Sequence, residues 1–320
     1  MAAAAAEPPI DVLVVGDANP DLLLRGDVVP RFGQAEQLLD AADLVLGGSA
    51  AITAAGCARL GLRTALVAAV GADRFGDLVL AALAERGVDT AAVGRDADRP
   101  TGLSVLLCVP ADRAILTLPG AIPTLDAAAV PDPLLARARH LHVASYFLLP
   151  RLAAGLAGLL RRARAAGCTT SLDTNWDPAG RWAGVAELLP LIDVFLPNRA
   201  ELVAVAGLDG GSTGDPDDAA VAAAATWVRA AGPLLAVKAG AAGALGWNAD
   251  SQLTAPAPAV DVADPVGAGD SFVAGFLAGW LRGLPFDRCL RWAATAGALS
   301  TRAAGGTAAQ ATAADLERVR

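Results

Sequence analysis

Residues 264–272 read Asp264-Pro265-Val266-Gly267-Ala268-Gly269-Asp270-Ser271-Phe272. An acid, a Gly-Ala-Gly turn and a second acid stand directly before Phe272, Val273, Phe276, Leu277, Trp280, Leu281 and Leu284, which are apolar at 3.6-residue spacing. The pattern predicts a helix that starts at or just before Asp270. The first amides of a helix have no intrahelical acceptors and lie at the positive end of its dipole. Glycines at that end let an oxyanion come close to the backbone, so the turn suits a phosphate in transfer. Asp270 would repel that phosphate. Its natural task there is to take the proton of a hydroxyl that attacks it. Taken alone, the stretch reads equally as a Gly-rich loop with an Asp N-cap.

The chain has 320 residues, room for one large α/β domain or one domain with a smaller appendage. Apolar residues make up 54%, in short runs broken by Gly, Pro and charges. None approaches the roughly 18 residues of a membrane span, which predicts no membrane partner. Met1–Pro9 has no basic residue and no long apolar run, and reads as a disordered Ala-rich tail rather than a secretory signal. Cys57, Cys108, Cys168 and Cys289 are far apart and lack metal-ligand spacing, so buried reduced thiols in a cytoplasmic protein are expected. Net charge is −8, and the longest basic cluster, Arg161-Arg162-Ala163-Arg164, lies on a predicted helix as its solvated face. Nucleic acid is thereby excluded as a partner, because its binding depends on phosphate neutralisation. The expected partner is small.

Ile10–Gly16 is an apolar β-branched run, the pattern of a buried parallel strand. Similar strands are predicted at 65–70, 140–144, 169–172, 194–196 and 234–237, with helices at 50–60, 74–86, 152–166, 199–206 and 217–231. This alternation implies a mostly parallel sheet covered on both faces, with ligands at the carboxyl ends of its strands. Two segments, 22–48 and 100–121, break it and read as short strands with turns. Thr101–Pro110 and Ala114–Leu118, joined by Ala111-Asp112-Arg113, predict a hairpin. Together they suggest a small β layer over the sheet edge, used as a lid, as a plain extension or as a surface for a homodimer.

A Walker A loop needs Gly-Lys-Ser/Thr, but the sole lysine, Lys238, follows Val237. The first strand ends without the GxGxxG of a dinucleotide fold. Other motifs follow in order: Gly47-Gly48-Ser49-Ala50-Ala51, Gly71-Ala72-Asp73-Arg74-Phe75-Gly76, Asp173-Thr174-Asn175, Asn198-Arg199-Ala200-Glu201 and Lys238-Ala239-Gly240-Ala241-Ala242-Gly243. With the opening stretch, the chain resembles the ribokinase-like (PfkB) family of carbohydrate kinases from about Val12 to Gly306.

The resemblance implies a single α/β domain over 10–310, a three-layer sandwich around a mostly parallel sheet, with a β lid from about 18–48 and 98–122. It implies transfer of the ATP γ-phosphate to a hydroxymethyl group of a small sugar or nucleoside. Asp270 then corresponds to the catalytic base, and Gly267, Ala268 and Gly269 to the backbone anion hole. Asn198 and Glu201 match an Asn-x-x-Glu motif serving Mg²⁺, through water, and the ATP phosphates. Lys238, Gly240 and Gly243 fall beside the nucleotide. Lys238 reads either as a phosphate partner or as a solvated strand end. Asp264, with the carbonyls of Ser300, Ala303 and Gly305, corresponds to a K⁺ site.

Asp21 aligns with the acid that holds sugar hydroxyls, and carboxylates accept from paired hydroxyls. Asp17, Asn19, Gly47, Gly48 and Ser145 are expected around it. Two departures bear on the acceptor. Ile52 stands where sugar kinases carry an Asn, so the pocket loses an amide or else the helix hides Ile52. Asp177 stands where relatives acting on acidic sugars carry Arg. A carboxylate there would repel another, which argues against a ketodeoxygluconate-type acceptor. Arg113 on the hairpin is the nearby cation that could offset it. The rival reading is a catalytically inactive sugar-binding regulator on the same fold.

Overall fold

The computed structural model describes residues 9–109, 112–208, 214–248 and 251–318. Of the expected tail only Pro9 is among them, and the hairpin residues Pro110 and Ala111 lie outside. The chain runs β1 (Ile10–Val15), β2 (Asn19–Gly26), β3 (Leu39–Gly47), α1 (Ser49–Arg59), β4 (Thr64–Val67), β5 (Ala69–Gly71), α2 (Arg74–Glu85), β6 (Gly94–Asp96), β7 (Leu103–Val109) and β8 (Asp112–Leu118). Then come α3 (Asp132–Leu135), β9 (Ala138–Ala144), α4 (Pro150–Ala165), β10 (Thr169–Asp173), α5 (Val185–Leu188), β11 (Val194–Phe195), α6 (Arg199–Val205) and α7 (Asp218–Ala230). The last are β12 (Leu234–Lys238), β13 (Ala244–Trp247), β14 (Gln252–Ala255), α8 (Ala268–Leu281), α9 (Phe286–Ser300) and α10 (Ala313–Glu317).

The main sheet has the order β14-β13-β12-β11-β10-β9-β1-β4. The pairs from β4 to β12 are parallel, whereas β12–β13 and β13–β14 are antiparallel. The middle of β1 is apolar on both sides because both sides are covered, whereas β9 beside it buries His140 and His142, each hydrogen-bonded to Ser171 of β10. Leu13 and Val15 of β1 join a core with Leu156 and Leu160 of α4 and Val221 of α7. Val12 and Val14 face the opposite core, with Ala54 of α1, Phe276 of α8 and Ala293 of α9.

The second sheet has the order β3-β2-β7-β8 and comes from the two segments that break the alternation. Strand β8 begins at Asp112, so Asp112 and Arg113, expected in the connection, belong to the strand. Register fixes its two faces. Asp21 pairs with Val45 and Ser104, and Ser104 with Thr117, on one face. Leu22 pairs with Leu44 and Val105, and Val105 with Leu116, on the other. The first face is turned to the main domain, where Leu23 and Leu106 bury against Val266.

Candidate active site

The parallel strands deliver their carboxyl ends to one edge, as open α/β sheets do. Asp17 follows β1, Ser145 follows β9, Asp173 and Asn175 end or follow β10, Asn198 follows β11 and Lys238 ends β12. Across from them begins α8, at Ala268, with Gly267 as its N-cap at φ 71°. A side chain at Gly267 would strain that left-handed backbone and place its Cβ 2.4 Å from Cα of Gly306. The amides of Gly267, Gly269 and Asp270 donate to no described backbone group, but that of Ala268 donates to Pro265 O at 3.3 Å. Three unbonded amides at a helix start form an anion cradle. Ala268, expected among its donors, is already engaged.

Asp270 is buried on the first turn of α8. Burial first, then the charges of Asp173 and Asp17, push its carboxyl up to about 8, against the pull of Lys238 and a Ser49 hydrogen bond. Ser49 Oγ accepts from Asn175 Nδ2 at 2.8 Å, and Asn175 Oδ1 accepts from the Ser145 amide at 2.8 Å. Hydrogen bonds therefore link the acid to Ser145 through two side chains. Asn175 and Ser49 were not among the expected site residues. Their signals were the Asp173-Thr174-Asn175 at the end of β10 and the Gly47-Gly48-Ser49 before α1.

Lys238 is mostly buried and paired rather than a solvated strand end. Its Nζ donates to Asp173 Oδ2 at 2.5 Å, and the two side chains are 12% and 1% exposed. Burial would lower its pKa, but Asp173, Glu201 and Asp270 outweigh burial and hold it raised. Glu201 accepts from the Asn198 amide and Asn198 Oδ1 from the Glu201 amide, both at 2.8 Å, a capping box at the start of α6. The Asn-x-x-Glu spacing thus starts the helix while placing a buried carboxyl at the site. Burial pushes Glu201 up to about 7, with Lys238 opposing and Asp173 adding. Carboxyls held above their usual range by burial and by one another are stabilised by an added cation. Among the described residues no group of three His, Cys, Asp or Glu could hold a metal directly. This donor set fits Mg²⁺, which keeps waters and leans on substrate phosphates.

At the foot of β2, Asp21 Oδ1 accepts from Asn19 Nδ2 at 2.9 Å. Burial and then the charge of Asp17 push Asp21 up to about 7. Asp17 itself caps α1, accepting from the amides of Ser49 at 3.2 Å and Ala50 at 3.0 Å, and burial raises its pKa. Gly47 gives Asp21 its place, since a Cβ there would lie 2.0 Å from Asp21 Oδ1. A cavity of ≈ 830 Å³ runs from Asp17, Asn19, Asp21 and Gly48 past Ile52 and Ser145 to Glu201, Lys238 and Asp270. The second sheet adds Ser104, Arg113 and Thr117, and Trp176 closes another wall. Both readings of Ile52 hold in part. It lines this cavity, yet it is buried with Cδ1 against Gly306.

A second cavity of ≈ 500 Å³ continues beyond Lys238 and Gly269, walled by Gly240, Gly243, Val260, Phe272, Ala294 and Thr301. Its mostly apolar lining suits a flat heterocycle, and most of these residues carry no motif.

Asp177 corrects an expectation. It does not line the cavity. Its carboxylate accepts from the amides of Ala179, Arg181 and Trp182 at 2.8, 2.7 and 2.8 Å, and the side chain is buried. The argument against an acidic acceptor therefore lapses. Asp264 is likewise engaged, accepting from Val266 N at 2.9 Å and Gly305 N at 2.8 Å. The carbonyls of Ser300, Ala303 and Gly305 accept from no described backbone amide.

The family model for pfkB family carbohydrate kinases matches residues 10–313. The chain belongs to this family. As a PfkB carbohydrate kinase it is 31% identical over 302 residues to the ATP-dependent ribose-1-phosphate kinase of Halopiger xanaduensis, covering 94% of this chain and 95% of that one. It is also 31% identical to the 2-dehydro-3-deoxygluconokinase of Bacillus subtilis, covering 81% and 82%. The structure of Arabidopsis thaliana ribokinase complexed with ribose and ATP matches at TM-score 0.81 and 24% identity, over 97% and 98% of the two chains, which shows a shared fold. A PfkB protein from Polaromonas sp. JS666 matches at TM-score 0.77 and 27% identity, over 97% and 99%.

Proposed function

We propose that this kinase transfers the γ-phosphoryl group of ATP to a hydroxymethyl group of a small sugar or nucleoside, with Asp270 as general base. One observation carries the reading. The buried Asp270 carboxyl stands on the same helix turn as the unbonded amides of Gly267 and Gly269, between a polar cavity and an apolar one. Asp21 and Asn19 hold the acceptor hydroxyls, with Gly47, Gly48, Ile52 and Ser145 around them. Asp270 takes the proton of the attacking hydroxyl. The amides of Gly267, Gly269 and Asp270 then receive the negative charge of the transferring group, in place before the reaction begins. Lys238, held by Asp173, adds positive charge behind that cradle. Gly240 and Gly243 border the cavity that takes the base.

Asn198 and Glu201 would hold Mg²⁺ through water, and the ion would offset charge on the phosphates. The free carbonyls of Ser300, Ala303 and Gly305 beside Asp264 suit a K⁺ ion. A second copy of the chain covers the outer face of the lid. ATP as donor and the four free thiols fit a cytoplasmic location.

The relatives' names point to sugars, and with Asp177 turned away both neutral and acidic acceptors stay open. The test is ATP consumption with ribose, fructose, ketodeoxygluconate, ribose 1-phosphate and nucleosides, for the unaltered enzyme and Asp270→Asn. Transfer to one acceptor, falling about 10²- to 10⁴-fold in the variant, is expected for loss of a general base. Turnover of no acceptor would instead favour a sugar-binding regulator.

A further inference from the structure

One buried polar atom stands where the lid meets the anion cradle. Arg25, on the inner face of β2, donates from Nη1 to Asp43 Oδ2 of β3 at 2.5 Å. Its Nη2 is buried and has no hydrogen-bond partner. That nitrogen lies 3.8 Å from Asp264 Oδ2, on a side chain only 5% exposed. A guanidinium nitrogen left unbonded away from water is costly, so a near miss to a carboxylate calls for a reason.

Asp264 is the tie behind the cradle. One oxygen holds the Val266 amide and the other the Gly305 amide. Val266 leads into Gly267 and packs on Leu23 and Leu106 of the lid. Gly306, next to Gly305, lies against Gly267. One carboxylate thus fixes both walls of the turn that presents the free amides, and the lid holds a cation towards it.

We propose that Arg25 is a positioning residue for the anion hole: as the lid settles on a bound acceptor, Nη2 completes its bond to Asp264 and fixes the turn at Gly267. The proposal rests on the kinase reading above. Closing 3.8 Å to a charged hydrogen bond of about 2.8 Å takes about 1 Å of movement. A misplacement of that size costs an enzyme about 100-fold in rate. With the lid raised the cradle is less ordered, so it does not stabilise phosphoryl transfer until an acceptor is present.

Arg25→Ala and Arg25→Lys are compared with the unaltered enzyme on an acceptor it turns over, with methylguanidinium added in a parallel series. In Arg25→Ala, kcat falls about 10- to 100-fold, the KM for ATP stays unchanged, and ADP formed without transfer rises relative to product. Methylguanidinium restores part of kcat. The lysine variant lies between, because a single ammonium cannot span Asp43 and Asp264 as a guanidinium fork does. An unchanged kcat, or a loss confined to acceptor KM, overturns the proposal. A readout independent of turnover is hydrogen exchange at the amides of Val266 and Gly305 with a saturating sugar acceptor bound, expected to be faster in Arg25→Ala. Equal exchange in the two proteins overturns the proposal even where no acceptor is phosphorylated.

Discussion

Asp270 holds its proton to about pH 8 because it is buried and faces the charge of Asp173. A base must be ionised, so kcat/KM for the acceptor should climb with pH through about 8 and level off only above it. Stability should run the other way. The folded pKa lies above the unfolded value of 3.8, so the unfolded chain binds fewer protons between these limits. Stability is therefore lost as pH rises from about 4 to about 8. Asp270→Asn should melt higher than the unaltered protein at pH 8, the gap closing towards pH 4. A variant that melts lower at pH 8 would contradict this. The acid, its glycines and its helix were legible because each needs a particular residue type. Asp177 was misread because a position in sequence carries no direction for the side chain. Three backbone amides in the next turn claim its carboxylate. Lys238 was left open for the same reason, since its partner Asp173 is 65 residues away.

At the scale of elements, strand β2 and the end of β3 build the acceptor corner together. Asn19 pairs with Gly47 at the foot of the lid, and Asp21 leans over the vacant side of that glycine. In Gly47→Ala the new methyl would meet the Asp21 carboxylate at 2.0 Å. The acid must swing away, since the main chain on which the methyl sits is held in the sheet. Hydrogen bonds to a charged group are worth about 1.5–3 kcal/mol, so the acceptor KM should rise about 10- to 100-fold with the KM for ATP unchanged. Steady-state kinetics decide it, and equal effects on both substrates would place the damage elsewhere. The longer strands and helices before residue 240 were readable because apolar periods alternate with turn residues, whereas the short β6, α3 and α5 were not, and 65–70 read as one strand where the chain forms β4 and β5. The helix α9 was not read, since its alanines and glycine blur the contrast between faces. The pair β13 and β14 went unread because each spans only four residues.

For the whole molecule, the parallel direction of the main strands follows from their alternation with helices, which is why a mostly parallel sheet was legible from the sequence, though its strand order was not. The cavity behind Gly269 was not, because Val260, Phe272, Ala294 and Thr301 come from separate elements and meet only after folding. The outer face of the lid poses the remaining question at this scale. Leu44, Leu22, Val105 and Leu116 form one row across all four strands, and Leu44 and Leu116 are 43% and 59% exposed. Leu118 adds to the patch, and β3 and β8 are edge strands. Contiguous apolar faces and open edges are hazards in a monomer, and a second copy removes both. A partner there would also stiffen the lid, joining assembly to closure over the acceptor. The unaltered protein should sediment as a dimer at micromolar concentration. Leu116→Asp, which puts a charge at the centre of that face without touching the cavity, should sediment as a monomer and bind the acceptor more weakly. If the unaltered protein is already monomeric, or the variant stays dimeric, the lid face is not the contact.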